Sequence, residues 1–325
     1  MVTYEKLLAT KISLTKKTVL ASPIMLLPPE LLSEVFRFLP PFVFPFDAPT
    51  LFALMGVCKL WKHVIESTPQ LWCNINLDSA ALGINAKGRN KWPARDLGPR
   101  TIKLAVSKWL ANSKEAPLDA FLQTAFGVFC DTIEQITSYL PGLSQALLCS
   151  HRFRSLTLSI DLPAETKGIA ITELVCSALS AASNTLEELV FRVNKADRSM
   201  SASEPESDDE DIIGQFAMSH AKCDVIRFPR VRRLSIHGEL AYIWIGQEIH
   251  APLVEELTLG GLSCHEVGAL LQSSSKVPFL HLAVLTLSKF RRDGVDPVLE
   301  LPSLPALVQL RVLETPQDND CLLYT

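Results

Sequence analysis

The chain has 325 residues, of which 48% are hydrophobic and 20% charged, and its formal net charge is −4. This composition predicts a globular protein with a sizeable core, and the length suggests about two domains. The acidic balance argues against a nucleic-acid binder that works through a dominant basic face. The densest basic cluster, four arginines at positions 227, 230, 232 and 233, is explained by a solvated strand face.

The cysteines and the N-terminal segment indicate where the protein resides. Eight cysteines are scattered singly without a C-x-x-C pair, which is the usage of a reducing compartment. Residues 1–22 contain lysines and no continuous apolar run, so they predict an N-terminal helix or a disordered segment and not a signal peptide. We expect a soluble, intracellular protein, cytoplasmic and/or nuclear, without a membrane partner.

The stretch LLPPELLSEVFRFLPP at residues 26–41 predicts a short, unusually apolar helix. Prolines before Glu30 favour a helix start there, and Pro40 and Pro41 end it. One broad helical face carries Leu31, Leu32, Val35, Phe36 and Leu39. Such a helix packs either against the chain's own core or against a second protein.

A second helix is predicted over residues 49–67, with Thr50 as its N-cap, and a compact segment ends at Trp72. Nearly every turn of both helices is apolar. A unit of about fifty residues is too small to bury so much apolar surface alone. We therefore expect another element or another protein to cover part of it.

Three motifs in these two helices carry a family resemblance. They are Leu27-Pro28-x-Glu30-Leu31-Leu32-x-Glu34-Val35-Phe36, Val57-Cys58-Lys59-x-Trp61 and Ser67-Thr68-Pro69-x-Leu71-Trp72. In this order they resemble an F-box domain over residues 23–78, most like those of F-box proteins abundant in mushroom-forming fungi. The phenylalanine-rich loop at 41–49 departs from the family pattern, which has a short polar turn there.

The resemblance implies a partner and a binding surface. F-box domains dock on a Skp-type adaptor, which connects them to a cullin. The positions that match the docking motif are Leu27, Pro28, Leu31, Leu32, Val35 and Cys58. Trp61 is expected between the helices of the unit instead.

Residues 79–325 predict mixed helix and strand. After a polar loop, a helix is expected over 101–113, a strand over 117–123 and another helix over 129–140. The template L-x-x-L-x-L, with other large apolar residues allowed, then recurs six times, starting at positions 153, 186, 231, 254, 282 and 307. Three of the five intervals lie in the roughly 20–29-residue range of leucine-rich repeats.

The repeats are irregular, because only Asn194 supplies the turn-forming Asn or Cys that follows each copy in a regular array. No capping element is evident after the sixth copy, as expected for a truncated chain. The predicted fold class is therefore α+β overall, with a small helical F-box unit at 23–78 and an irregular α/β leucine-rich-repeat-like solenoid at 79–325.

An acidic insert at residues 199–212 interrupts the repeats. Its carboxylates and serines, without core-forming residues, favour a solvated loop. The alternative is phosphorylation of Ser203 and Ser207, which lie close to acidic residues and would make the insert more negative.

The sequence offers no catalytic, cofactor-binding or metal-binding constellation. HEVGA at 265–269 lacks the second histidine of the zinc-protease motif, and His220 and Cys223 have no companion pair. We interpret the chain as a non-catalytic substrate receptor of a cullin-type ubiquitin ligase, whose repeats bind an unknown protein target. Two alternatives stay open: an F-box and repeat scaffold that works outside a ligase, and a hydrolase built from scattered Ser, His and Asp residues.

Overall fold

The computed structural model describes residues 24, 27–39, 42–78, 99–125, 142–162, 179–195, 227–238, 250–262, 267–268, 270–271, 280–288 and 304–313. The predictions for 1–22, 129–140 and the acidic insert at 199–212, including Ser203 and Ser207, lie outside these residues. Within them the chain combines a small helical region with a large parallel sheet.

Three helices form the first part of the fold. They are α1 (Pro29–Arg37), α2 (Ala48–Val57) and α3 (Lys59–Ser67), and a short 3₁₀ helix, Pro69–Trp72, follows α3. α1 and α2 both pack against α3. The prediction of one helix over 49–67 is wrong, because Cys58 is extended, with φ −162° and ψ 170°, and separates α2 from α3. Thr50 is not the N-cap, since α2 begins at Ala48, after Asp47.

The next two helices of the described residues lie between strands. The helix predicted at 101–113 is confirmed as α4 (Pro99–Ser113), and α5 (Leu143–Leu148) packs against it. The inward residues of α4 include Ile102, Val106, Trp109 and Leu110, which are all buried. Gly142, before α5, has φ +92°, and a Cβ there would lie 2.6 Å from Val106, so a side chain would be both strained and crowded.

Nine strands of the described residues form one sheet in which every neighbouring pair is parallel and the strand order follows the chain. The strands are β1 (Val43–Phe44), β2 (Asn74–Asp78), β3 (Leu118–Ala125), β4 (Phe153–Leu162), β5 (Glu188–Lys195), β6 (Arg233–His237), β7 (Glu256–Gly260), β8 (Val284–Ser288) and β9 (Gln309–Leu313). The strand predicted at 117–123 is confirmed as β3. Each connection must cross from the end of one strand to the start of its neighbour, as parallel pairing demands.

The six copies of L-x-x-L-x-L coincide with the strands β4–β9, and they share one register. The middle leucine position forms one row of paired residues, Leu156, Leu189, Leu234, Leu257, Leu285 and Leu310. From Leu156 to Leu285 every member of this row is buried. Alternate residues of a strand face opposite sides of a sheet. The row two residues further along, from Leu158 to Leu287, therefore faces the same side as the first row, and both rows form the core on that side.

The first three strands extend the same rows into the helical region. Phe44 pairs with Ile75, Ile75 with Ala120, and Ala120 with Leu156. The loop at 41–49 thus contributes β1, which is only two residues long. The sheet consequently runs without interruption across residue 78, where the sequence places a domain boundary.

Candidate functional site

α1 has one side in the protein core. Leu32 is 0% exposed, and Phe36 is also buried. The Phe36 ring meets the Trp61 indole of α3 edge to face, with ring centroids 5.2 Å apart. Trp61 therefore lies between the helices, as the sequence predicts. These contacts fix which side of α1 is turned away from the core.

Beside this buried side, α1 and the two residues that follow it carry an exposed apolar stripe. It consists of Leu31, Val35, Phe38 and Leu39, spaced as residues on one side of a helix, and we call these four residues the α1 stripe. Leu31 is 53% exposed and Phe38 is 88% exposed. Single exposed apolar residues are common on protein surfaces, whereas four that follow one another along and just after one short helix form a candidate interaction surface.

The start of α1 is shaped by proline. Pro28 lies in an extended conformation before the helix, and Pro29 occupies the first turn, where its missing N–H leaves no hydrogen bond unmade. Leu32 N–H donates to the Pro28 carbonyl at 3.0 Å, which closes that turn. Pro28 is exposed and Leu27 is half-buried, so both border the α1 stripe at its N-terminal end.

α1 is also tied to the end of α3 by polar groups. The Ser33 and Thr68 hydroxyl oxygens lie 2.9 Å apart, and the Thr68 hydroxyl is 2.7 Å from the Val64 carbonyl. Thr68 is buried, so these bonds satisfy a hydroxyl that has little access to water. The orientation of α1 on the unit is thus set by hydrogen bonds as well as by ring packing.

Cys58 has a local structural role at the break between α2 and α3. Its sulfur accepts a hydrogen bond from the Trp61 backbone N–H at 3.4 Å, which caps the start of α3. The side chain is half-buried. A serine or threonine usually caps a helix in this way. Cysteine is less polar than either, so it can make the same contact in a partly apolar environment.

The six residues predicted to bind an adaptor do not share one environment. Leu31, Val35 and Pro28 are exposed, while Leu27 and Cys58 are half-buried. Leu32 contributes to the core of the unit and offers no surface to a partner in this conformation. The exposed Phe38 of the α1 stripe and Phe52 and Val57 of α2 were not among the predicted residues. Phe38 could have been predicted from the sequence, because it lies seven residues, or two helical turns, after Leu31.

No group of three or more His, Cys, Asp or Glu side chains in the described part of the chain is placed to hold a metal ion. In the same residues no helix is long and apolar enough to cross a bilayer. The candidate functional site is the α1 stripe, on the evidence of its exposed apolar side chains.

Comparison with known families gives the class of this site. Residues 24–78 match the F-box-like family model. The resemblance that the three sequence motifs carry is thereby confirmed, and the chain contains an F-box-like domain built from α1, α2, α3 and the strands beside them. No curated protein sequence gives a significant match to the chain.

Proposed function

We propose that the chain is the substrate receptor of a cullin-type ubiquitin ligase, in which the α1 stripe binds a Skp-type adaptor. F-box domains generally bind such adaptors. The observation that carries the proposal is that the matched helix buries Leu32 and Phe36 in the core and leaves a row of large apolar side chains exposed beside them. Burial of that row is worth about 1.5–3 kcal/mol for each fully covered side chain.

The parallel sheet is the proposed target-binding part. Strands that follow one another in chain order, with six repeated motifs in one register, support an irregular leucine-rich-repeat solenoid. Such arrays present an extended surface to a protein partner. Because β1 and β2 belong to the sheet, the two binding parts are held at a fixed separation.

The proposed mechanism is positional. The F-box-like domain holds the ligase core through the adaptor and the cullin, and the sheet holds the target protein. The lysines of the target then meet the activated ubiquitin at a high effective concentration. The chain itself supplies no acid, base or nucleophile in this mechanism.

Co-purification with a Skp-type adaptor tests the proposal. We expect the native chain to retain the adaptor and the double variant Leu31→Asp, Val35→Asp to lose it. An unpaired carboxylate in a desolvated apolar contact should weaken binding by about a hundredfold or more. Leu104→Asp is the matched control, because Leu104 is an exposed leucine on α4, outside the F-box-like domain.

Circular dichroism must show that all variants fold. Failure of the folded native chain to bind the adaptor, or equal loss with Leu104→Asp, would contradict the proposal. Adding the cullin to the complex separates the two roles. A chain that binds the adaptor but excludes the cullin would be a scaffold that works outside a ligase.

A further inference from the structure

The outer side of the sheet carries a ladder of alternating charges at the N-terminal ends of its strands. Asp119 on β3 pairs with Arg154 on β4, and Glu188 on β5 pairs with Arg233 on β6 at 2.8 Å. Arg232, just before β6, pairs with a glutamate just before β7, Glu255, at 3.1 Å. The arginines at 230, 232 and 233 are therefore neutralised by the neighbouring strands and turns, as the interpretation of a solvated strand face expected.

This ladder ends at β7. Glu256 is exposed and lies between Arg233 of β6 and Val284 of β8 in the strand register. Arg233 already pairs with Glu188, and Glu256 makes no ion pair with any other residue that the structure describes. Continuing the alternation would require a cation on β8, and the chain has Val284 at that position.

Beyond this carboxylate the register continues through Val284 to the polar Gln309, and exposed apolar side chains lie in the turns that lead into the last three strands. Val308, which immediately precedes β9, is 86% exposed. Leu253 and Leu280, in the turns that lead into β7 and β8, are also exposed. The backbone N–H of Val308 donates to the Ala283 carbonyl at 2.9 Å, so the last turns lie side by side at one edge of the sheet. We call Leu253, Glu256, Leu280, Val284 and Val308 the distal patch.

We propose that the distal patch binds a segment of the target protein that carries a lysine or arginine beside large apolar side chains. The cation would pair with Glu256 and complete the alternation, while the apolar side chains would cover Leu280 and Val308. This inference rests on the proposed function, since it assigns the target to one end of the sheet. That end is the one farthest along the strand order from the F-box-like domain.

Charge decides against the other occupants. An acidic segment would meet the carboxylate of Glu256, which is unpaired among the described residues, and like charges at an interface are repulsive. A second copy in a symmetric dimer would bring a Glu256 carboxylate from each copy into one contact, and the distal patch has no basic residue to pair with either of them. A basic and apolar segment is the occupant that satisfies both components of the distal patch.

The probes are two short fluorescent peptides, one of alternating leucine and lysine and one of alternating leucine and glutamate. Fluorescence anisotropy measures their binding to the full chain. We expect the lysine peptide to bind at least about tenfold more tightly than the glutamate peptide, since one ion pair at a partly desolvated contact supplies that factor. Glu256→Lys should reverse the preference, and Leu280→Gln with Val308→Gln should weaken binding of the lysine peptide by a similar factor.

Two variants are matched controls. Glu115→Lys makes the same change of net charge at an exposed glutamate before β3, and Leu104→Gln removes an exposed leucine of α4. Neither should alter peptide binding. An equal effect of Glu115→Lys and Glu256→Lys, or no preference between the peptides, would overturn the proposal.

Two further measurements separate the remaining outcomes. A concentration-dependent dimer that Glu256→Lys abolishes, seen by light scattering, would assign the distal patch to a second copy and overturn the proposal. Retention of the Skp-type adaptor by Glu256→Lys supports a site separate from the α1 stripe. If no form of the chain binds the adaptor while the peptide preference holds, the ligase proposal fails and the basic and apolar ligand stands.

Discussion

The indole rings of Trp72 and Trp109 meet edge to face, with centroids 4.9 Å apart and planes at 72°. Trp72 is the last motif residue of the F-box-like domain, and Trp109 belongs to α4, beyond that domain. The Trp72 Nε1–H donates to the Ile65 carbonyl at 2.8 Å, so the ring is fixed in both its polar and its apolar contacts. A helix from the next part of the chain therefore packs against the end of the F-box-like domain and covers Trp72.

Trp109→Ala should destabilise the whole chain. The ring also contacts Phe44 of β1 at a centroid distance of 5.5 Å, and it is almost fully buried. Loss of a buried aromatic ring costs about 3–5 kcal/mol. Chemical denaturation should show that loss, while Leu104→Ala on the same helix should change the free energy of unfolding by less than about 0.5 kcal/mol. Equal stability of the two variants would contradict this view of α4.

Phe36→Ala and Trp61→Ala should each destabilise the unit, and their effects should not add. Because the two rings contact each other, a double-mutant cycle should give a coupling free energy of about 0.5–1.5 kcal/mol. Denaturation of the two single variants and the double variant measures it. If the two changes in the free energy of unfolding were strictly additive, Phe36 of α1 would not pack against Trp61 in solution.

Two glycine substitutions should act in opposite directions. Gly238 has φ +90°, and a Cβ there would lie 2.1 Å from the Val193 carbonyl oxygen, so Gly238→Ala should force the backbone of two strands apart. Gly56, in α2, has nothing within 4 Å of its Cβ position. Gly56→Ala should therefore stabilise the chain by about 0.5–1 kcal/mol through helix propensity. Thermal melting of both variants tests the contrast, and destabilisation by Gly56→Ala would contradict it.

Arg152→Lys should be destabilising even though the charge is kept. The Arg152 guanidinium donates to the Ala116 carbonyl at 2.8 Å and to the buried Ser113 hydroxyl at 2.8 Å, which joins the end of α4 to the start of β4. A lysine has no planar fork to make both bonds. We expect a loss of about 1–3 kcal/mol in the free energy of unfolding. Arg192→Lys, at an exposed position on β5, is the control that should leave stability unchanged.

The Cys73 thiol should react slowly with alkylating reagents. Burial raises the pKa of Cys73, and the nearby Asp119 carboxylate raises it further. Since the thiolate is the reactive form, less of it is present at a given pH, and the alkylation rate should rise at a higher pH than for free cysteine. Asp119→Asn should shift that rise to lower pH. Mass spectrometry of the alkylated peptides measures both rates, and a Cys73 rate equal to that of free cysteine would contradict the prediction.

The sequence by itself predicted much of the fold, because periodic apolar residues are its strongest signal. The prolines and leucines around residue 30 gave α1, and six repeated motifs correspond to the strands β4–β9. Three other motifs, between residues 27 and 72, indicated the F-box-like domain that the family match confirms at residues 24–78. These features depend on neighbouring residues, so local patterns are sufficient to find them.

Tertiary structure alone decided which residues of α1 are available to a partner. Leu31 and Leu32 are adjacent and chemically identical, yet one is exposed and the other is buried. They are rotated by about 100° about the helix axis, and only packing against α3 determines which one points inward. The strands β1 and β2 were also decided by contacts between distant residues. A two-residue strand has no periodicity to read, and Phe44 becomes part of the sheet only because Ile75 lies beside it.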